Sequence, residues 1–187
     1  MQSLLRNNHL KRGVIFTCDP YSKIMNESDK STNLLFGDAA TASICDIDKS
    51  PYRIGFCDHG TKRGSSSAMS RREGEYLYMN AKQVMKFVFE KVPTSIKTVL
   101  RHHRLQIENI DQFVVHQGSR YIVDALANEL NVDKNKMPFL AMKYGNTISS
   151  SLPLALKETL ETKNPKTTLL SSFGAGCHWA TTVLFKD

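Results

Sequence analysis

Three stretches of this chain, GVIF at 13–16, QFVV at 112–115 and TLLSSF at 168–173, are apolar on consecutive rather than alternate positions. Successive side chains of a strand point to opposite faces, so such runs need cover on both faces of their sheet. Between them the period changes. Val84, Met85, Val88, Phe89, Val92, Ile96, Val99 and Leu100 recur at helical spacing, and YIVDALANEL and SLPLALKETLE read as two further helices. Strands interleaved with helices predict a mixed α/β sheet. Three main helices are few to cover it.

The patterning predicts the elements in turn. MQSLLRNN is a helix tail, RGVIFTCD a buried strand ending before Pro20, and NLLFGDAATASICDID and YRIGFCD two strands, the first interrupted by Gly-Asp. A long helix follows from Met79 to Leu105; Pro93 is expected to kink or split it, because proline supplies no N–H and crowds the preceding turn. Then come a strand at QFVVH, the helix YIVDALANEL, a strand near PFLAMKY, the helix SLPLALKETLE and the strands TTLLSSFG and WATTVLF. No repeat or linker divides the 187 residues, although 58–75 forms a polar loop long enough to be functional. One domain, residues 1–187, is the economical count.

Composition narrows the function classes. Hydrophobic residues at 41 % and charged residues at 23 % exclude a disordered chain. No apolar run approaches the ~20 residues of a membrane span, so no membrane partner is expected. The first residues carry charges on both sides of a short apolar stretch with no small-residue cleavage site, and a cytoplasmic protein is expected. The net charge of +7 suits an acidic partner. Lys and Arg are scattered, RGSSSAMSRR being the densest patch, and no nucleic-acid motif accompanies them, so no nucleic acid is expected. Cys18, Cys45, Cys57 and Cys177 form no CxxC pair; reduced thiols are expected, the first three buried for packing, and no metal. His102 and His103 point about 100° apart on a helix, cannot share a metal and are expected to be solvated.

Three glycine-bearing turns follow apolar strands: HQGS after QFVV, YGNT after PFLAM and FGAGCHW after TTLLSS. Ligands of open α/β sheets sit in crevices at strand ends, so the turns could converge and bring His116, Asn146 and a glycine-rich loop together. A neutral imidazole can donate one N–H to a developing oxyanion, a carboxamide a second, and a Gly-Ala-Gly turn a backbone third. That is equipment for carbonyl chemistry. Taken singly, each is open to a plainer reading: a strand-end histidine, a turn-forming asparagine, a glycine turn.

The series LFGDAATA, VVHQGSRYIVDALA, YGNTISSSLPLAL and FGAGCHWATTVLF, in this order, resembles the C-terminal half of β-ketoacyl-acyl-carrier-protein synthase III, a thiolase-fold condensing enzyme. The resemblance covers nearly the whole chain, including the helix with Pro93 inside it and the CDP segment. It implies an α/β fold, thiolase-like, with a mixed sheet and helices, in an enzyme whose complete fold is a five-layer αβαβα sandwich. It implies catalytic roles for His116 and Asn146, an oxyanion-binding backbone N–H at Ala175, and an acyl-pocket place for Phe173. The substrates implied are acyl-CoA or phosphopantetheine-carried thioesters, with no covalently bound cofactor and an acyl carrier protein as partner.

The chain also departs from that family. The nucleophilic cysteine belongs to the family's N-terminal half, which these residues do not match. Of the four cysteines here only Cys177 is expected near the pocket, at a position that matches a packing residue. The family's pantetheine-binding glycine, asparagine and phenylalanine match Ala81, Lys82 and Met85, and the asparagine of its HQAN motif matches Ser119. Its carrier-docking arginine position holds Tyr121, with Arg120 one residue before. The expected function is therefore decarboxylative condensation of an acyl thioester with malonyl-carrier protein, in fatty-acid or polyketide-like biosynthesis, using a cysteine from another chain or missing segment. Such a chain would be inactive alone. The alternatives are a non-catalytic partner subunit and a truncated gene product. An uncovered apolar face and a homo- or hetero-oligomer are expected.

Overall fold

The computed structural model describes residues 2–64, 67–71 and 74–187; of the basic stretch 63–72, residues 65, 66 and 72 lie outside the described residues. In chain order the elements are α1 (Gln2–Asn7), β1 (Arg12–Asp19), α2 (Lys30–Asn33), β2 (Ala39–Asp46), β3 (Tyr52–Ile54) and β4 (Asp58–Thr61). Then follow β5 (Met69–Ser70), β6 (Tyr78–Met79), α3 (Ala81–His102), β7 (Gln112–Val115), α4 (Arg120–Glu129), α5 (Ser151–Lys163), β8 (Thr167–Gly174) and β9 (His178–Lys186). No described helix is long and apolar enough to cross a membrane.

The main sheet runs β3-β9-β8-β7, with β4 also on β9. It is mixed, as expected: β7 and β8 are parallel, β8 and β9 antiparallel. The YRIGFCD segment and the start of the expected polar loop become β3 and β4, which take successive lengths of β9, Ile54 opposite Leu184 and Asp58 opposite Thr181. Helix α3 packs across β8 and β9, while α5 packs against β7. The core lies between them. Phe87, Val88, Val92 and Ile96 of α3 meet Phe113, Val115, Leu169 and Val183 of the sheet, all buried. Contiguous burial on β7 matches its unbroken apolar run.

The split at Pro93 and the strand near PFLAMKY are both absent, each for an identifiable reason. Pro93 does not split α3, which is assigned as one helix of 22 residues with the proline itself buried. The ring adds to the core, and the sacrificed bond to the Phe89 carbonyl is a single one. The strand near PFLAMKY does not form. Its amides are used locally: Leu140 N–H donates to the Gln117 side chain at 2.8 Å, and Gly145 N–H returns to the Ala141 carbonyl at 2.8 Å. Just past the segment, Asn146 forms an isolated parallel bridge with Phe36.

β1 and β2 form a separate two-stranded antiparallel ribbon, with Val14 opposite Ile44 and Phe16 opposite Ala42. Its inner face is tied to the turn before α5: Thr17 Oγ1 and Ser150 Oγ lie 2.7 Å apart, and the Asp19 carboxylate accepts from Ser149 N–H at 3.1 Å. Its outer face is bare. Phe16 is 77 % and Ile44 71 % exposed, so the strand expected to be buried is not, because nothing among the described residues lies over it. The cysteine expectation fails with it: Cys18 on that face and Cys57 are exposed, Cys45 is half-buried, and Cys177 is buried. The expected solvation of the paired histidines holds only in part. His102 stacks on Phe56 at 4.1 Å, and His103 Nε2 accepts the Phe56 N–H at 2.9 Å.

A bare apolar ribbon drives association. Replacing Phe16 with Glu is expected to lower self-association of the chain in sedimentation velocity while changing its unfolding free energy by less than ~0.5 kcal/mol, since little is buried there to lose.

Candidate active site

β7 ends at Val115, but the sheet continues one bond further: His116 N–H donates to the Ser171 carbonyl of β8 at 2.8 Å. The imidazole is thereby fixed at the carboxyl end of two parallel strands. Gln117 then closes the turn, its Nε2 donating to the Val115 carbonyl at 2.8 Å. Ser119 starts α4 as its cap, the hydroxyl accepting Ile122 N–H at 3.3 Å. β8 delivers Phe173, whose ring meets that of His116 edge-on with centroids 5.2 Å apart. The glycine-rich turn follows, Gly176 at φ 75° and Cys177 at φ 51°.

Asn146 arrives by a different route. Gly145 takes φ 69°, and a Cβ there would sit 3.1 Å from the Leu35 carbonyl oxygen, so glycine is required. Asn146 N–H donates to Leu35 at 2.9 Å and its carbonyl accepts Gly37 N–H at 3.0 Å. Its Oδ1 accepts Ile148 N–H at 3.1 Å, which fixes the carboxamide and leaves the Nδ2 hydrogens as its donors toward the cleft.

The three turns converge. His116, Asn146, Phe173 and Ala175 line one cleft of about 440 Å³, together with Ser119 and Cys177. Apolar side chains such as Phe36, Met85, Ile122 and Trp179 complete its walls. Of the other positions singled out in the sequence, Ala81 is in the lining, whereas Lys82 is exposed outside it. Arg120 is also outside. Its guanidinium lies 4.9 Å from the ring centroid of Phe139, on the exposed start of α4. Among the described residues no group of His, Cys, Asp or Glu gathers to hold a metal ion.

His116 is only 6 % exposed, and burial pushes its pKa down to about 4. The imidazole is therefore neutral at pH 7, able to donate from one nitrogen and accept at the other. Its Nδ1 is 2.8 Å from the hydroxyl of Ser151, at the start of α5. The other edge of the ring faces Gly118, where a Cβ would lie 3.6 Å from Nε2. Neither Ser151 nor Gln117 stood out in the sequence. Each acts on a residue more than twenty positions away, and the signals that could have marked them are the serine run at 149–151 and the glutamine beside the histidine.

The depressed pKa makes this histidine an acid-sensitive element. The unfolded chain takes up its proton near 6.5 and the folded chain only near 4, so protonation favours unfolding in that interval. The contribution is present in full above pH 6.5 and is lost as pH falls through about 4. Urea titrations at pH 7 and pH 4 are expected to show wild type losing up to ~3 kcal/mol more than His116→Gln.

Comparison with known proteins places the chain in a family. A family model described as 3-oxoacyl-[acyl-carrier-protein (ACP)] synthase III C terminal matches residues 100–185, and one described as 3-oxoacyl-[acyl-carrier-protein (ACP)] synthase III matches residues 1–61. The β-ketoacyl-[acyl-carrier-protein] synthase III of Streptococcus mutans is 29 % identical over 201 residues, covering 98 % of this chain and 62 % of its own length. That of Trichodesmium erythraeum is 30 % identical, covering 96 % and 60 %. Among solved structures, the Thermus thermophilus synthase III superposes with a TM-score of 0.92 at 27 % identity, over the whole of this chain and 62 % of its own. Another 3-oxoacyl-(acyl-carrier-protein) synthase III gives 0.90 at 30 % identity, covering 99 % and 63 %. The chain thus spans about three fifths of the length of these relatives. With two family models in register along it and this fold beneath them, the chain belongs to the β-ketoacyl-acyl-carrier-protein synthase III family of thiolase-fold proteins.

Proposed function

We propose that this chain supplies the carbonyl-activating part of a decarboxylative condensing enzyme. The observation that carries the reading is the convergence of His116, Asn146 and the Ala175 turn on one largely apolar cleft. A malonyl thioester bound there places its carbonyl oxygen between the Nε2 hydrogen of His116 and the carboxamide of Asn146. Both donors strengthen as the carboxylate leaves as carbon dioxide and negative charge collects on that oxygen. The resulting enolate carbon attacks the carbonyl of an acyl group carried on a cysteine sulfur. The Ala175 N–H holds the new oxyanion, the thiolate leaves and takes a proton from solvent, and a β-ketoacyl thioester remains. A neutral imidazole suits the donor role, because an N–H donor is what a developing enolate needs. Phe173, edge-on to His116, walls the acyl side.

The attacking sulfur comes from outside these 187 residues, on a missing segment or a Cys-bearing partner chain; among the cysteines here Cys177 alone lines the cleft. The substrates are acyl-CoA or phosphopantetheine-carried thioesters, with no covalently bound cofactor. An acyl carrier protein is the partner, with Arg120 as a weak docking contact, in a cytoplasmic fatty-acid or polyketide-like pathway. The bare ribbon supports a homo- or hetero-oligomer. A second reading, a non-catalytic partner subunit, is favoured by Ala81, Met85 and Ser119, which line the cleft where the family's pantetheine-binding residues differ.

Decarboxylation needs no cysteine, so it separates the two readings on the chain as it stands. Carbon dioxide release from malonyl-pantetheine is expected above the uncatalysed rate and should fall ~100- to 1,000-fold in His116→Ala, the usual loss for an oxyanion donor. No release above background from the wild-type chain would sink the catalytic reading and leave the partner-subunit one.

A further inference from the structure

We propose that Ser151 is a positioning residue that fixes the hydrogen of His116 on Nε2, the nitrogen on the cleft side; the inference rests on the reading of His116 as a carbonyl-polarising donor. The Ser151 hydroxyl lies 2.8 Å from Nδ1, and both residues are buried. Two arrangements satisfy that distance. In one, the hydroxyl donates to a bare Nδ1 and Nε2 carries the hydrogen. In the other, Nδ1–H donates to the hydroxyl oxygen, and the serine hydrogen must find a second acceptor.

The surroundings decide between them. Among the described residues Ser151 makes no other side-chain hydrogen bond, so the second arrangement strands a buried hydroxyl hydrogen. A buried donor without a partner costs about 1–3 kcal/mol. The first arrangement strands nothing on the serine and presents Nε2–H to the cleft.

The backbone holds Ser151 to this task. It is the last of three consecutive serines, each tied to a different partner. Ser149 donates through its hydroxyl and its N–H to the Asp19 carboxylate of β1. Ser150 Oγ lies 2.7 Å from Thr17 Oγ1 and donates to the Ala39 carbonyl at 3.2 Å. With the entry to α5 anchored at two successive residues, the third has its hydroxyl delivered to the imidazole rather than left to rotate in solvent. The same turn carries Asn146 three residues before Ser149, so one segment supplies a donor to the substrate and sets the donor state of the other.

Nitrogen NMR of the chain labelled in its histidines reads the tautomer directly, with His116→Gln identifying the resonances. Wild type at pH 7 is expected to show a bare, pyridine-type Nδ1 and a protonated, pyrrole-type Nε2 for His116. Ser151→Ala should shift that balance toward Nδ1–H, and Ser151→Thr, which keeps a hydroxyl, should retain the wild-type pattern. The malonyl-pantetheine decarboxylation kcat should fall with the lost tautomer fraction, about three- to tenfold in Ser151→Ala with KM unchanged, and recover in Ser151→Thr. A wild-type hydrogen on Nδ1, or an Ala variant with the wild-type tautomer, overturns the proposal. A tautomer that behaves as described in a chain that releases no carbon dioxide overturns the catalytic reading of His116 while leaving the Ser151 assignment supported.

Discussion

The parallel pairing of β7 with β8 is the constraint on which the site depends. The register runs from Gln112 opposite Thr168 to Val115 opposite Ser171, so both strands end at the same rim. His116 leaves β7 there, while β8 runs on past Ser171 on its pairing with β9 and carries Phe173 up beside the imidazole. A slip of one residue would turn every side chain of β7 to the other face and carry His116 away from the cleft. What resists the slip is burial on both faces: Phe113 and Val115, with Leu169 beside Phe113, are enclosed on one face and Val114 on the other. Asn146 has no strand to place it. It is held by backbone bonds to Leu35 and Gly37 and by the Gln117 carboxamide, which spans Val115 and Leu140 and so ties its loop to the end of β7.

Legibility in the sequence followed the same division. Where side-chain period decided the structure, as in α3, α4, α5, β7, β8 and β9, the pattern could be read from the residues, because the sheet and helices bury what the period presents. PFLAMKY misled because its apolar content mimics a strand while its amides are satisfied by a glutamine side chain from another segment and by a local turn. No periodicity contains that information. β1 misled in the opposite sense: it is a strand, yet burial depends on what lies over it and not on the strand's own residues. His116, Asn146 and the glycine-rich loop were legible as a group through the three glycine turns, and Phe173 and Ala175 only through the family resemblance. Ser151 was not, since its partner is 35 positions away and a serine before a helix ordinarily reads as a cap.

The electrostatics of the cleft run against those of the whole chain. The protein carries a formal +7, but the imidazole at the centre of the site is kept uncharged by burial. A cation there would have to shed its hydration into an apolar pocket with no carboxylate in its lining to compensate. On the proposed function the two levels serve different steps: surface charge acts over the distance at which an acidic partner is steered, while the buried dipoles act only on the charge that develops at a bound carbonyl.

The bare ribbon and the site are not independent. Two antiparallel strands without a third are marginal in water, and β1 is where Ser149 and Ser150 are anchored. Fraying of the ribbon releases Asp19 and Thr17, and with them the entry to α5 that carries Ser151 and follows Asn146. Whatever covers Val14, Phe16 and Ile44 therefore binds the ordered ribbon in preference to the frayed one and stabilises it by mass action. The same free energy stiffens the turn beneath. The apolar ribbon and the two hydrogen-bond donors of the cleft are thus joined through three consecutive serines, Ser149 and Ser150 holding β1 and Ser151 meeting the imidazole.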